Sequence, residues 1–494
     1  MNLALTPPEA WQPLPAAAWT EDAARHLLRR AGWSAQPQEV AAALRDGLPA
    51  TLDRLFPREP PPLPEPASVA ALADDTPAFV ERLRAADPAD RRKLLQEARE
   101  RAREALLDLT IAWLRHARRS DRAAVEKWTL FLGNIYVVGA DKVPNPALLC
   151  RHQAMLRARG MGTAPALARA VLRSPAMINY LDLQQSRRGA PNENFARELM
   201  ELFTLGIGAY TEADVKEAAR AFTGYTHRAG EFAFVPARHD PGPKTVFGQS
   251  GRFDGDAVID LIYRQPAAAT HLPARWAAFY LADEPLPEPY LEALGAWWRG
   301  ADFSLREFAR HAFGSRLFFE PPFRGACIKS PIQYYLGLLQ DFSLDVPPLP
   351  RRLVPAFRLM GQLPYHPPNV RGWVGGRHWI SSATLEARRL LARALLRPVD
   401  ESRLNADEQL ALAQARAAGA GVFTIDDAWF APFSRPDTGA AAGELLRRLL
   451  PQSADAYQPV VAAALAGAGR PAAEPARLRG AVLALLETPE YQLC

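Results

Sequence analysis

The chain has 494 residues, 48% of them hydrophobic, with a formal charge of +5 and an isoelectric point near 9.1. That composition supports a sizeable folded core and excludes a disordered or collagen-like chain. No apolar run approaches the ~20 residues of a membrane helix, and three scattered cysteines, Cys150, Cys327 and Cys494, make neither a disulfide framework nor a zinc motif. Six lysines stand against 53 arginines. The arginines alternate with carboxylates, as in Arg82-Leu-Arg-Ala-Ala-Asp-Pro-Ala-Asp-Arg91, a pattern of solvated helix faces that disfavours nucleic-acid binding. The first residues, Met1 to Trp19, carry four prolines and no basic start, so they do not read as a signal peptide and a cytoplasmic location is expected.

In chain order, helical spacing begins at Asp22 to Ala31 and resumes at Pro37 to Leu44. A Pro-rich connector spans Pro57 to Ala67, and a charged helix follows from Thr76 to His116, broken near Pro88. Val125 to Leu205 is apolar and helical. Gly, Pro and aromatic residues from Phe232 to Asp254 predict a long loop with a short hairpin. Helices return from Asp256 to Phe318 and around Ser330 to Leu339. A Gly/Pro/Trp loop runs from Gln362 to Trp379, ahead of helices at Ser382 to Leu396, Glu444 to Leu450 and Pro475 to Glu487. The class is all-α. Three regions are expected: 1–120, N-terminal helices with the connector; 121–400, the main helical core; and 401–494, an Ala-rich helical end.

Three segments hold the chemistry-bearing residues. In Asn192 to Gly208, Phe195, Leu199, Leu202 and Phe203 form an apolar helix face, ended by Gly206 and Gly208. Thr211 then caps a second helix, with Asp214 completing a capping box. On the first helix Glu193, Arg197 and Glu201 recur every four residues, with Glu198 three before Glu201. Solvated, they form a salt-bridge ladder; buried, they could hold a divalent cation or act as a general base. The second segment, His239-Asp-Pro-Gly-Pro-Lys244, sets an imidazole, a carboxylate and an ammonium in one loop, either as acid/base groups or as a turn capped by Asp240. The third, Pro367 to Trp379, offers Asn369, Arg371 and Trp373 as substrate-binding groups, or else packs between helices. No Walker loop, GxGxxG, GxSxG or HExxH motif is present.

Together these segments resemble the bacterial domain of unknown function family 1800. The resemblance runs from His26-Leu-Leu-Arg-Arg-Ala-Gly-Trp33 through Ser174-Pro-Ala-Met-Ile-Asn-Tyr-Leu-Asp182, Pro191 to Phe203, Tyr210 to Val215 and Ala221-Phe-Thr-Gly224. His239-Asp240, Lys244, Ile328-Lys-Ser-Pro331 and the Pro367 to Trp379 loop complete it. The resemblance implies a helical protein of about this length, with a sulfatase-like protein as partner. Where the family usually shows Phe-Trp-His-Asn-His-Phe, this chain reads Phe131-Leu-Gly-Asn-Ile-Tyr136, so Gly133 and Ile135 stand in place of paired imidazoles that would suit a metal. Two functions follow as expectations. One is a hydrolase-like enzyme in which Glu193, Glu198, Glu201, His239 and Asp240 converge on one pocket for acid/base or metal-assisted chemistry, with Arg197 and Lys244 orienting the substrate. The other is a non-catalytic partner or scaffold.

Overall fold

A computed structural model describes residues 3–396, 400–433, 437–452, 455–466 and 475–494. Helices dominate it, and its only strands among the described residues form two separate antiparallel hairpins. The fold is all-α, as composition and periodicity predict.

Helix α1 (Glu21–Ala31) starts where the Thr20 hydroxyl accepts the Ala23 amide, with Glu21 and Asp22 in its first turn and Arg29 and Arg30 in its last, matching the helix dipole at both ends. Helix α2 (Pro37–Leu55) continues past the Leu44 boundary expected from periodicity, across a kink at Gly47, whose φ is +80°. The charged segment is two helices, Ala67–Ala85 and α3 (Pro88–Ala117), the second begun by Pro88 behind Asp87, whose carboxylate accepts the amides of Ala89 and Asp90.

Helix α4 (Ser120–Gly133) is the central strut. Its Glu126 is fully buried, accepts two hydrogen bonds from Arg157 on α5 (Pro146–Arg159) at 2.6 and 2.7 Å, and a third from the Trp113 indole of α3 at 2.8 Å. Burial alone raises a carboxyl group, but Arg157 and His116 outweigh it and hold Glu126 down at about 2. One ionised carboxylate thus clamps three helices.

The segment after Pro191 departs from regular helix in a way that periodicity does not reveal. Helix α6 (Glu193–Glu198) passes directly into a π-helical turn, Leu199–Thr204, where the Leu205 amide reaches back five residues to the Met200 carbonyl. The wider turn displaces other carbonyls from the ladder, and side chains take them: the Thr204 hydroxyl donates to Leu199, and His271 Nε2 donates to Leu202 at 2.9 Å. Gly206 and Gly208, at φ +90° and +85°, end the turn as expected. The Thr211–Asp214 capping box then opens α7 (Glu212–Ala221), which packs on α6.

The Phe232 to Asp254 stretch holds the expected short hairpin and the end of another that begins before it. Strands β1 (Tyr225–Arg228) and β2 (Glu231–Phe234) pair with Tyr225 opposite Phe234, and β3 (Lys244–Val246) and β4 (Gln249–Gly251) with Lys244 opposite Gly251. The second is bolted to α7 by Asp214, which accepts the Phe247 amide, and Glu217, which accepts that of Thr245. Beyond α8 (Gly255–Arg264), helix α9 (Ala267–Trp276) ends in a second π turn, Ala277–Leu281, closed by the Ala282 amide on the Ala277 carbonyl.

Buried side chains form two large clusters. One runs from Leu5 to Phe323, and the other joins Leu109 and Trp113 of α3 to α10 (Pro331–Asp341) and to C-terminal side chains such as Leu445, Leu485 and Tyr491. All three cysteines are buried free thiols, with burial pushing Cys150 up to about 11 and Cys327 to about 12. No helix among the described residues is long and apolar enough to cross a membrane.

Candidate functional site

The Gly/Pro/Trp loop closes over the end of α4, and one residue arranges the closure. Asn134, just past the helix, accepts the Trp373 amide at 2.7 Å, donates to the Trp373 carbonyl at 3.0 Å, and accepts Arg275 Nη2 on its own carbonyl at 3.0 Å. Gly372 is required beside it. Its φ is +75°, and a Cβ there would lie 2.2 Å from Asn134 Oδ1. Upstream, the Asn369 carboxamide accepts the Arg371 amide at 2.8 Å and sets the turn.

Beneath this loop lies a cavity of about 260 Å³, walled by Phe279, Trp373 and Trp379 and carrying Arg275, Arg371 and Asp283. A smaller apolar cavity of about 80 Å³ shares Leu130 and Trp373 with it. Ile135 lines the larger and Gly133 the smaller, so these two positions open on different cavities. The neutral polar groups of the larger cavity are engaged in building it: Ser330 caps α10, and Gln362 accepts the Ile332 amide.

Its ionic groups are not engaged to the same degree. Arg275 has no carboxylate partner among the described residues, its one hydrogen bond going to the Asn134 carbonyl, and burial pulls its pKa below the ordinary arginine value. Asp283 has neither a hydrogen bond nor an ion pair among the described residues, and burial raises its carboxyl group against the opposing pull of Arg30 and Arg377. Gly376, at φ +57°, lets the loop backbone pass close to it, since a Cβ there would stand 3.1 Å from Asp283 Cγ.

The candidates from the acidic helix divide. Glu193 and Arg197 join Glu212 in a partly exposed cluster, Arg197 holding both Glu212 oxygens at 2.6 and 2.7 Å and Glu193 at 3.3 Å. That is the solvated ladder, extended to the next helix. Glu201 turns the other way, accepting the Tyr210 hydroxyl at 2.7 Å and lying 3.5 Å from Arg371 of the cavity wall. Burial and the hydrogen bond to Glu201 push Tyr210 up to about 12, so it remains a donor. Glu198 is half-buried and accepts no hydrogen bond from any described residue. Burial, then the charge of Glu201, lifts its carboxyl above the usual range, with Arg371 pulling against them.

His239, Asp240 and Lys244 form a separate knot. Asp240 accepts from Arg220 at 2.8 Å and from the Gly242 amide at 2.9 Å, and these contacts hold it at about 2 against the effect of burial. Lys244, 1% exposed, donates to the carbonyls of Asp240 and Gly242 at 2.7 and 3.0 Å. His239 Nδ1 donates to the Thr223 carbonyl at 3.0 Å, and the Asp240 amide donates to the Thr223 hydroxyl. No hydrogen bond or ion pair among the described residues joins this knot to Glu198 or Glu201. The reason lies in α7: Glu212 meets Arg197 at one end and Arg220 meets Asp240 eight residues on, about 12 Å along a helix. The expected single pocket is two networks.

Sequence reasoning did not single out Asn134, Arg275 or Asp283 as site residues. Asn134 lies within the Phe131 to Tyr136 stretch that departs from the family pattern, which is the one signal that marks it. Arg275 sits in an ordinary apolar helix and Asp283 in the turn after it, and neither belongs to a motif. Among the described residues, no group of three or more His, Cys, Asp or Glu side chains is placed to hold a metal ion.

No curated protein and no solved structure matches the chain. The sequence model of the family described as protein of unknown function, DUF1800, matches residues 26–493, nearly the whole length, and the chain belongs to that family.

Proposed function

We propose that the protein is a hydrolase-like acid–base enzyme whose substrate occupies the cavity at the end of α4. In this reading Glu198 gives its proton to the leaving group as the scissile bond breaks, and Glu201 takes a proton from the attacking water. The observation that carries it is the contrast between these two carboxylates three residues apart. Glu198 is unpartnered and lifted by burial and by its neighbour's charge, while Glu201 is tied to Tyr210 and to Arg371 of the cavity wall. One π turn, Ala277–Leu281, gives Phe279 to the cavity wall, and the helix it ends reaches the other π turn through the His271 hydrogen bond to Leu202, a kind of irregularity often found at functional sites. The divalent cation expected from the acidic spacing has no part in this proposal.

The test is hydrolysis of a panel of amides, esters and phosphomonoesters by the wild type and by Glu198→Gln. The variant is expected to keep its melting temperature and lose about 10²-fold or more in kcat. Because Glu198 must carry its proton, kcat/KM should fall as pH rises through its elevated pKa. Equal rates for the two proteins on every substrate cleaved would remove the proposal.

A second reading, a non-catalytic role beside another protein such as the sulfatase-like partner, has one observation in its favour. Ile207 and Val374 are 78% and 75% exposed, each in a glycine-flanked turn, the first after the π turn and the second on the cavity wall. It predicts that Ile207→Asp with Val374→Asp abolishes copurification of such a partner without changing the fold.

A further inference from the structure

The cavity at the end of α4 carries charge of both signs. Arg275 lines it with no carboxylate partner among the described residues, and Arg371 lines it paired with Glu201 at 3.5 Å. Asp283 lines it too, with no hydrogen-bond or ion-pair partner among the described residues. The neutral hydrogen-bonding groups of the wall are already committed: Asn134 to the Trp373 backbone, Ser330 to the start of α10, and Gln362 to the Ile332 amide. Arg275, half-buried with no carboxylate, costs stability unless a ligand supplies its counter-charge, whereas Asp283 and Arg371 are exposed and free to meet one. Phe279, Trp373 and Trp379 offer flat apolar walls.

We infer that the cavity takes a small zwitterion of about dipeptide size, its anionic group on Arg275 and Arg371, its cationic group on Asp283, and an apolar or aromatic body between Trp373, Trp379 and Phe279. Arg275 and Asp283 are eight residues apart, six of them helical and the last two at most fully extended, no more than about 16 Å along the backbone, and both side chains border the same space. A zwitterion that reaches both pairs both charges at once, while a singly charged ligand leaves one protein charge unpaired. The inference rests on the reading of this cavity as the substrate site, but it concerns binding and is tested without turnover.

The probes are glycyl-phenylalanine, its N-acetyl derivative, which lacks the cation, and its C-terminal amide, which lacks the anion. Each is titrated calorimetrically into the full-length protein carrying Glu198→Gln, so that hydrolysis does not interfere. The dipeptide should bind about tenfold or more tighter than either derivative. Arg275→Gln should erase the advantage of the dipeptide over its amide, and Asp283→Asn its advantage over the N-acetyl form. Arg371→Gln, on an exposed side chain, should shift affinity in the same direction as Arg275→Gln and covers the case in which the Arg275 variant folds poorly. The inference is overturned if the dipeptide shows no saturable binding, if both derivatives bind as tightly as it does, or if the variants weaken all three probes equally. A loss of turnover in Glu198→Gln with no preference among the probes would leave the acid–base reading standing and remove this one. Charge-selective binding with wild-type turnover in Glu198→Gln would do the reverse.

Discussion

The knot around Asp240 and the cavity around Arg275 draw on the same kinds of residue and could hardly differ more in how those residues are used. In the knot, Asp240 meets Arg220 and the Gly242 amide, Lys244 meets two carbonyls, and the Thr223 hydroxyl accepts the Asp240 amide. The polar groups close on one another and pin the hairpin loops to the end of α7. Around the cavity, Arg275 and Asp283 enter no ion pair among the described residues, and Glu198, which feels the charge of Arg371 on the wall, accepts no hydrogen bond from them. A dense run of polar letters marks either outcome. Whether each group finds its complement inside the protein separates a structural network from a site that has something left to offer a ligand.

If that distinction holds, closed networks should respond to mutation through stability and the open one through binding and rate. The largest stability effect belongs to the most completely closed network. Glu126→Ala leaves Arg157 buried without its carboxylate, and a loss of about 3–5 kcal/mol is expected by denaturant unfolding. The same network predicts acid sensitivity. Glu126 has a folded pKa depressed to about 2, so its contribution is complete above its ordinary carboxyl pKa and is lost as pH falls from about 4.5 toward 2. His152 and His271 are both held at about 4, chiefly by burial, so the unfolded chain takes up their protons first. Stability should therefore begin to fall below about pH 6.5, by up to about 1.4 kcal/mol per pH unit for each histidine, until about pH 4. Glu39, which burial raises to about 7, works in the opposite direction, so a flat melting temperature between pH 7 and pH 4.5 in Glu39→Gln would contradict the neutral, buried state of these rings.

Next in size is the knot. Lys244→Met removes two hydrogen bonds from a buried ammonium to backbone carbonyls that have little access to water, and about 2–3 kcal/mol should be lost. Affinity for probes of the cavity should stay within about twofold of wild type, because nothing in the knot touches the cavity. A tenfold change in affinity at unchanged stability would show that the knot belongs to the site after all.

These expectations also explain what could be read from the amino-acid order. The helices are legible because their signals are local: Thr20, Asp87 and Thr211 cap, Pro88 starts, and Gly206 and Gly208 stop. The π turn at Leu199–Thr204 is not, since Leu199, Leu202 and Phe203 keep an ordinary helical period and the displaced Leu202 carbonyl is taken by His271, 69 residues away. Arg371 and Trp373, which line the cavity, stand out in the sequence because they sit in a Gly-rich loop. Arg275 and Asp283 do not, because being unpartnered is a property of the folded surroundings and leaves no mark on the residue's neighbours in sequence.

The smallest stability effect, and the sharpest test of the comparison, is at Arg371. Its side chain is 66% exposed and its pairing with Glu201 is long, so Arg371→Gln should cost no more than the ~0–1 kcal/mol of a surface ion pair. Its charge nevertheless reaches Glu198, where it opposes the burial and the Glu201 repulsion that raise that carboxyl. Without Arg371 the pKa of Glu198 moves further up. If Glu198 is the proton donor, the alkaline limb of kcat/KM must shift to higher pH in Arg371→Gln while the melting temperature stays put. Arg220→Gln is the control: it breaks the knot, should melt earlier, and should leave that limb where it was, because Arg220 faces Asp240 and Glu217 rather than the cavity. A limb that moves with Arg220 and not with Arg371 would reverse the two assignments.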